Sequence, residues 1–280
     1  MATSISFVKG HGTQNDFVLV PDADDVLRET LDAATVRRMT DRYAGIGADG
    51  VIRVVPTDAV PDYAHLADAA EWFMDYRNAD GSVAEMCGNG VRVMARYLWE
   101  SGYAEGPVLT IATRGGVRTV HAETDETFTV EMGHARPAPT RQLPLVTAAG
   151  HTWPATAVWV PNPHAVVFVD DLAALGLLTE PPGIRPATLF PESANVEFVV
   201  GHGERHIAMR VWERGVGETR SCGTGVCAAA WAAMRRDGVG AGLPYTVDVP
   251  GGRLVVTERP DGEMLLTGPA VLGIHGTIEV

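Results

Sequence analysis

Two cysteines, Cys87 and Cys222, each open a near-identical turn, Met-Cys-Gly-Asn-Gly-Val at 86–91 and Ser-Cys-Gly-Thr-Gly-Val at 221–226. Each falls at a helix start. Val91, Met94, Ala95 and Leu98 follow the i, i+3, i+4, i+7 spacing of a helical face, and Val226, Ala229, Ala230 and Ala233 repeat it. A thiol there meets the positive end of the helix dipole, roughly half an elementary charge, and backbone N–H groups that favour an anion. A free thiol has a pKa of about 8.5, and a helix start can lower it to roughly 7 or below, which makes a base usable near neutrality. The neighbouring glycines admit close backbone approach, and the same N–H groups can hold a substrate carboxylate. Each turn therefore offers a base and half of an anion cradle.

The likeness of the halves extends beyond the turn. An offset of 135 that aligns the cysteines also pairs Met74 with Met209, Gly88 with Gly223, Gly90 with Gly225, Val91 with Val226 and Ala95 with Ala230. The stretch from Ala228 to Met234 is apolar all round, as expected of a helix wrapped by other structure. Cys227, one turn inside that helix, reads as core.

The elements that must position these turns are mostly strands. Short apolar or β-branched runs predict strands at 17–20, 51–55, 108–112, 117–121 and 128–132 in the first half, with a helix over 32–43 and another strand at 71–77. The 61–70 stretch fits either a loop or a short helix. A proline-rich stretch over 133–154 places a domain crossover near its start. Strands follow at 157–160, 166–169, 196–200, 206–212, 245–249, 254–258 and 264–267, with a second proline-rich connection at 179–191. The layout is two sheet-rich halves, each with one embedded helix.

At 280 residues the chain is long enough for two ordinary domains. Its net charge of -13 argues against nucleic acid or an anionic membrane as main partner. No signal-peptide pattern opens it and no apolar run reaches the length of a membrane span, so the reading is a cytoplasmic protein. Three cysteines are too few for a disulfide framework, and a reducing compartment keeps thiols usable. The single lysine, Lys9, leaves little scope for a Schiff-base cofactor. No nucleotide-binding glycine motif is present, and neither cysteine has zinc-type ligand spacing, so the expectation is no cofactor and no metal.

Polar residues gather around the thiols at matching places. The same offset aligns Asn78 with Glu213, and Asn15 and Asn162 each precede an apolar strand. Taken together, His-Gly-x-x-Asn-Asp-Phe at 11–17, Asn-Ala-Asp-Gly-Ser at 78–82, Met-Cys-Gly-Asn-Gly-Val-Arg at 86–92, Asn-Pro-His at 162–164, Asn-Val-Glu-Phe at 195–198 and Glu-Arg-Gly-Val-Gly-Glu-Thr at 213–219 make the chain similar, over nearly its whole length, to the diaminopimelate epimerases. These are pyridoxal-independent enzymes that invert one α-carbon of 2,6-diaminopimelate. Pro161, where the family often has glycine, and Ser193-Ala194, where it often has Arg-Val, depart from the pattern.

The resemblance implies an α+β fold of two pseudo-symmetric domains, each a curved, barrel-like mixed sheet around a central helix. It places the first domain at 1–133 with a C-terminal strand near 269–280, and the second at 134–268. It makes Cys87 and Cys222 the catalytic acid–base pair for LL- and meso-diaminopimelate. It assigns Gly88, Asn89, Gly223 and Thr224 to the reacting carboxylate, and Glu213 to the reacting ammonium. Asn15, Asn78, Asn162, Asn195 and Arg214 would hold the far end of the substrate, and His164 and Glu213 would tune the thiols. A homodimer is also implied. Two alternatives stay open: a proline- or hydroxyproline-type racemase, which shares the Cys-Gly-x-Gly turn, and a thiol redox protein, which would lack its usual Cys-x-x-Cys sign.

Overall fold

The computed structural model describes residues 3–124, 126–139 and 143–280. The chain divides into two compact units, Met1–Val130 with Gly268–Val280, and Glu131–Thr267. Along the first stretch run β1 (Ser4–Gly12), β2 (Asn15–Pro21), α1 (Ala33–Thr40), β3 (Gly50–Pro56), β4 (Trp72–Asn78), α2 (Gly88–Glu100), β5 (Val108–Thr113), β6 (Gly116–Ala122) and β7 (Thr127–His134). Then come β8 (Arg136–Pro137), β9 (Leu145–Ala148), β10 (His151–Val160), β11 (Asn162–Phe168), β12 (Gly183–Arg185), β13 (Asn195–Gly203), β14 (His206–Glu213), β15 (Gly217–Thr219), α3 (Gly223–Asp237), β16 (Tyr245–Val249), β17 (Gly252–Glu258) and β18 (Glu263–Pro269). The last strand, β19 (Val271–Glu279), pairs antiparallel with β1 in the first unit.

In the first unit the ladder runs β19-β1-β2-β3-β4-β5-β6-β7, with parallel steps at β2–β3 and β4–β5 and antiparallel steps elsewhere. In the second it runs β8-β10-β11-β13-β14-β16-β17-β18, with parallel steps at β11–β13 and β14–β16. The sequence of parallel and antiparallel steps is the same in both, so the repeat seen around the cysteines is a repeat of the whole topology. The α+β fold stands as expected. The sheets curve around their helices without closing: no pairing joins β19 to β7 or β8 to β18 among the described residues.

Helix α3 lies inside its curve because the 228–234 run leaves no polar face to turn outward, whereas α2 lies inside its own with Arg92 buried and only its end, at Glu100, exposed. Helix α2 touches β19, β1, β2, β3, β5 and β6, and α3 touches β10, β11, β13, β14, β16 and β17. Every residue from Val226 to Met234 is buried, as the apolar 228–234 run required. Gly238 then ends α3 in the left-handed conformation, φ 66°, which glycine adopts without a Cβ clash. Strand β3 is buried along Gly50–Val55 because it lies between a parallel and an antiparallel neighbour under α2. Its one charge, Arg53, is matched by Asp22 at 2.9 Å and Asp75 at 3.0 Å.

Several sequence expectations shift at their edges. The helix predicted over 32–43 is α1, which stops at Thr40 because the Asp41 carboxylate takes the N–H groups of Tyr43 and Ala44 into a turn. Its start is fixed by Asp32, which accepts from Thr35 N–H at 2.7 Å. The ambiguous stretch contains a short 3-10 helix at Pro61–Leu66. The proline-rich stretch over 133–154 includes residues 140–142, which lie outside the described residues, and it holds β9 and the first half of β10.

Candidate active site

In the first unit Cys87 is the N-cap of α2, in extended conformation. The first bond of the helix runs from Val91 N–H to the Cys87 carbonyl at 2.8 Å, so the N–H groups preceding Val91 are not used by the helical ladder. The thiol is half-buried and donates to Asn15 Oδ1 at 3.4 Å. That oxygen also accepts from Asn89 Nδ2 at 3.1 Å. The orientation of both amides is determined by charged partners. Asn15 Nδ2 donates to Asp49 at 2.7 Å, and Asn89 Oδ1 accepts from the Arg92 guanidinium at 2.8 Å. Arg92 is fully buried within α2 and also reaches the Gly88 carbonyl at 3.4 Å and the Pro269 carbonyl at 3.3 Å. Asp49 in turn is bound by Arg42 at 2.7 Å. Asn78 ends β4, where its amide donates to Ser82 Oγ at 3.0 Å.

In the second unit Cys222 caps α3 in the same extended conformation, and Val226 N–H reaches its carbonyl at 2.9 Å. Its thiol lies 3.7 Å from Asn195 Nδ2 and 3.6 Å from Thr224 Oγ1. The Asn195 amide is oriented by its other end, since Oδ1 accepts from Arg214 N–H at 2.9 Å. Glu213, at the end of β14, takes a short hydrogen bond from the Thr219 hydroxyl. His164 is fully buried, with Nδ1 2.7 Å from Glu197 Oε1 and Nε2 3.1 Å from Asn162 Oδ1. Arg214 extends its guanidinium to Glu192, 3.4 Å from the carbonyl and 3.5 Å from the carboxylate, on a partly open edge.

Each unit thus brings its thiol together with one oriented amide, Asn15 or Asn195, and with the polar residue two places on, Asn89 or Thr224. Gly88 and Gly223 begin the helices. Asn162 joins its thiol's surroundings through His164. Asn78 and Arg214 lie at strand ends, where Asn78 bonds to Ser82 and Arg214 to Asn195 and Glu192. The departures from the family pattern have a visible setting: Ser193 takes a left-handed φ of 64° just before the buried Ala194, two residues from Asn195.

Burial reverses one expectation. A helix start by itself lowers a thiol's pKa, yet Cys222 is pushed well above the usual range, first by burial and then by the negative charges of Glu213 and Glu197. The Thr224 hydroxyl and the Gly225 N–H offset only part of this. Glu213 is itself raised by burial, with the Thr219 hydroxyl and the Cys222 thiol resisting the rise. Burial also raises Glu197, against the pull of His164.

Arg92, Glu197 and Thr219 lie within the quoted motifs but carried no assigned role, and Asp49 did not stand out in the sequence. The available signal for two of them was a charge in a run that periodicity buries: Arg92 between Val91 and Val93, and Glu197 between Val196 and Phe198. Outside both half-sites, His202, His206 and Asp248 bring ligand atoms within 4.8 Å of one another. Arg253 already grips the Asp248 carboxylate at 2.6 and 3.1 Å, so the group is an ion-paired surface cluster with a cation in place.

The family model described as diaminopimelate epimerase matches residues 7–137 and 156–273. Among curated relatives, a diaminopimelate epimerase of Streptomyces coelicolor is 54% identical, with 100% of this chain and 97% of that protein covered. One of Thermobifida fusca is 47% identical, with 98% of each covered. Solved structures of the same fold include a predicted epimerase from Pseudomonas aeruginosa, with a TM-score of 0.72 at 14% identity and 99% of each chain covered. Another is a hydroxyproline epimerase from Agrobacterium vitis, with a TM-score of 0.68 at 15% identity, covering 99% of this chain and 93% of that one. On the family model and on identity over its full length, the chain belongs to the diaminopimelate epimerase family.

Proposed function

We propose that the chain interconverts LL- and meso-2,6-diaminopimelate without a cofactor, with Cys87 and Cys222 as the acid–base pair. The observation that carries this reading is a thiol at the start of a buried helix, beside an oriented amide, occurring once in each unit. In one direction a thiolate takes the α-proton and the other thiol donates its proton to the opposite face of the carbon. The reverse reaction exchanges the roles. One proton leaves and one returns, so the pair is regenerated in swapped form and neither residue is consumed.

The α-proton beside a carboxylate is weakly acidic, so the developing charge needs preorganised donors. The N–H groups of the two helix starts, at Gly88-Asn89 and Gly223-Thr224, supply them. Glu213 receives the reacting ammonium. The distal zwitterion falls to Asn15, Asn78, Asn162, Asn195 and Arg214, whose amides both donate and accept and whose guanidinium suits a carboxylate. An amino acid lacking that second zwitterion would leave these groups unpaired, which favours diaminopimelate over ordinary amino acids. His164 and Glu213 adjust the thiols. The family resemblance supports a role in lysine and cell-wall precursor synthesis and a cytoplasmic homodimer; no helix among the described residues is long and apolar enough to cross a membrane.

The decisive experiment is α-proton exchange in deuterated buffer under reducing conditions, without pyridoxal phosphate. LL-diaminopimelate, proline and hydroxyproline are offered separately to the wild type and to Cys87→Ala and Cys222→Ala. Exchange and epimerisation of diaminopimelate alone, lost roughly 10²–10⁴-fold in either variant, is the expected result. Exchange with proline instead, or full activity in either variant, would sink the reading.

A further inference from the structure

Beneath the second helix start lies a buried ion-pair motif that has no counterpart in the first. Strand register fixes the equivalence: Val51 faces Arg77 and Ile52 faces Tyr76, while Val196 faces Trp212 and Glu197 faces Val211, with Arg77 and Tyr76 each 135 residues before Trp212 and Val211. Glu197 therefore stands where Ile52 does. Since Val18 lies beside Val51 and Ala165 beside Val196, His164 stands where Phe17 does. The glycines two residues into the helices report the same substitution. A Cβ on Gly90 would meet Ile52 Cδ1 at 3.0 Å and Phe17 Cζ at 3.5 Å. One on Gly225 would meet Glu197 Oε1 at 2.7 Å and Cys222 Sγ at 3.4 Å. The carboxylate thus lies against the turn that carries the thiol.

An apolar Phe–Ile pair serves this place in one unit, so packing alone does not require a His–Glu pair in the other. The pair is also costly. Both side chains are fully buried, and Glu197 Oε2 has no hydrogen-bond partner among the described residues. A buried carboxylate oxygen left unmatched costs free energy that an isoleucine would not. A costly group kept in one half, beside a reactive thiol, points to chemistry.

We propose that Glu197 is a positioning residue for Cys222: its carboxylate holds His164 under the helix start and places negative charge there, so that Cys222 rests as a thiol and enters catalysis as proton donor. This rests on the epimerase reading above. The groups facing Cys222 are Glu213 from β14, Glu197 from β13, the Asn195 amide and the Thr224 hydroxyl, with His164 from β11 bonded to Glu197. The helix dipole and the donors Asn195 and Thr224 favour the thiolate. Burial and the two carboxylates oppose it, and they prevail. The first helix start has Ile52 and Phe17 at the equivalent places, so the two thiols are built to be unequal.

The test isolates Cys222 as the sole thiol in a Cys87→Ser, Cys227→Ala background and follows thiolate absorbance in the ultraviolet against pH. The parent should titrate above the ordinary thiol range. Glu197→Gln, which keeps the shape and removes the charge, should lower the midpoint by about one pH unit or more. The His164→Phe, Glu197→Ile double variant, which installs the first unit's pair, should lower it as well. An unmoved midpoint in both, or a parent midpoint at or below the ordinary thiol range, overturns the proposal, and the parent reading decides alone if a variant does not fold. In the three-cysteine protein, Glu197→Gln should shift the pH profile of kcat with little change in KM; a uniform loss at every pH would mark a purely structural role and also overturn it. Because the titration needs no turnover, wild-type inactivity on diaminopimelate would sink the functional reading while leaving the thiol's local control to be read directly.

Discussion

The two units share a topology and a helix-start thiol, yet they hold that thiol by different physics. In the first, Cys87 donates to an amide whose orientation is set from outside by Asp49 and from inside by Arg92 through Asn89. In the second, Cys222 sits beside the half-buried Glu213 and the buried Glu197, which is itself bonded to the buried His164. A repeat with identical surroundings would give two thiols of equal acidity, and a one-proton pair works best when one is protonated and the other is not. Divergence beneath the helix starts leaves the two thiols with unlike neighbours while the order of strand pairing stays the same.

The sharpest break in the comparison is at the first inward position of each helix. Arg92 and Cys227 are 135 residues apart and both fully buried, but only Arg92 orients an amide on the thiol. Arg92→Ala should cost about 4 kcal/mol, from a large cavity and the Gly88 and Pro269 carbonyls and an amide oxygen left unmatched, and Cys227→Ala about 1 kcal/mol. Denaturant melts of the two variants check this. Near-equal losses would show that Arg92 is filler.

Next come the glycines. Gly225→Ala drives a methyl against Glu197 Oε1, whose position is fixed by His164, and should cost about 1–3 kcal/mol with loss of activity. Gly90→Ala meets first the Met74 methyl at 2.6 Å, the far end of a flexible side chain, so it should cost less than about 1 kcal/mol after the helix-propensity gain. Thermal melts and kcat, measured together, separate the two. Asp49→Ala releases the Asn15 amide from its fixed orientation and should reduce kcat/KM by about tenfold, or 1.4 kcal/mol, without moving the titration of Cys222. A shift in that titration would refute the independence of the two half-sites.

The smallest effect is in the pH dependence of stability, and its sign differs between Asp75 in the first unit and Glu197 and Glu213 in the second. Glu197 and Glu213 are raised by burial. Their contribution is complete below the unfolded carboxylate range and is lost as pH rises through the folded values. Burial would raise Asp75 too, but Arg114, Arg53 and Arg77 outweigh it and hold it below its usual value. Its contribution is complete above the unfolded range and is lost as pH falls through the folded value. Denaturant melts against pH should therefore show Asp75→Asn removing part of the loss of stability in acid, and Glu197→Gln removing part of the loss as pH rises. Parallel behaviour in both would contradict the assignment.

Much of the fold was legible because apolar periodicity reports which face is buried. The strands at 51–55, 71–77, 108–112, 117–121 and 245–249 and both cysteine-capped helices were readable this way. The segments that were missed lacked that signal. Strand β1 carries Lys9, His11 and four glycine or serine positions, and is held by pairing with β19 and β2 instead of by an apolar run. Strand β15 is three polar or glycine residues paired to the end of β14. Pairing partners distant in sequence leave no local trace. At the site, the sequence disclosed the thiols, the asparagines and the glycines because their residue types are chemically legible one at a time. It did not disclose the roles of Arg92 and Glu197, because a buried charge in an apolar run looks the same whether it supports packing or a reactive group, nor that of Asp49, a part-exposed residue of a glycine-flanked turn.

The sequence by itself determined that one device occurs twice: a thiol, two glycines and an apolar helix, at a fixed offset, within a strand-rich chain. Only the tertiary structure decided that the two copies rest on different buried neighbours. Acidity depends on which charges burial brings within a few ångströms of a thiol, and strand register, which places Glu197 and His164 in one unit where Ile52 and Phe17 stand in the other, is set by long-range pairing that no local pattern encodes.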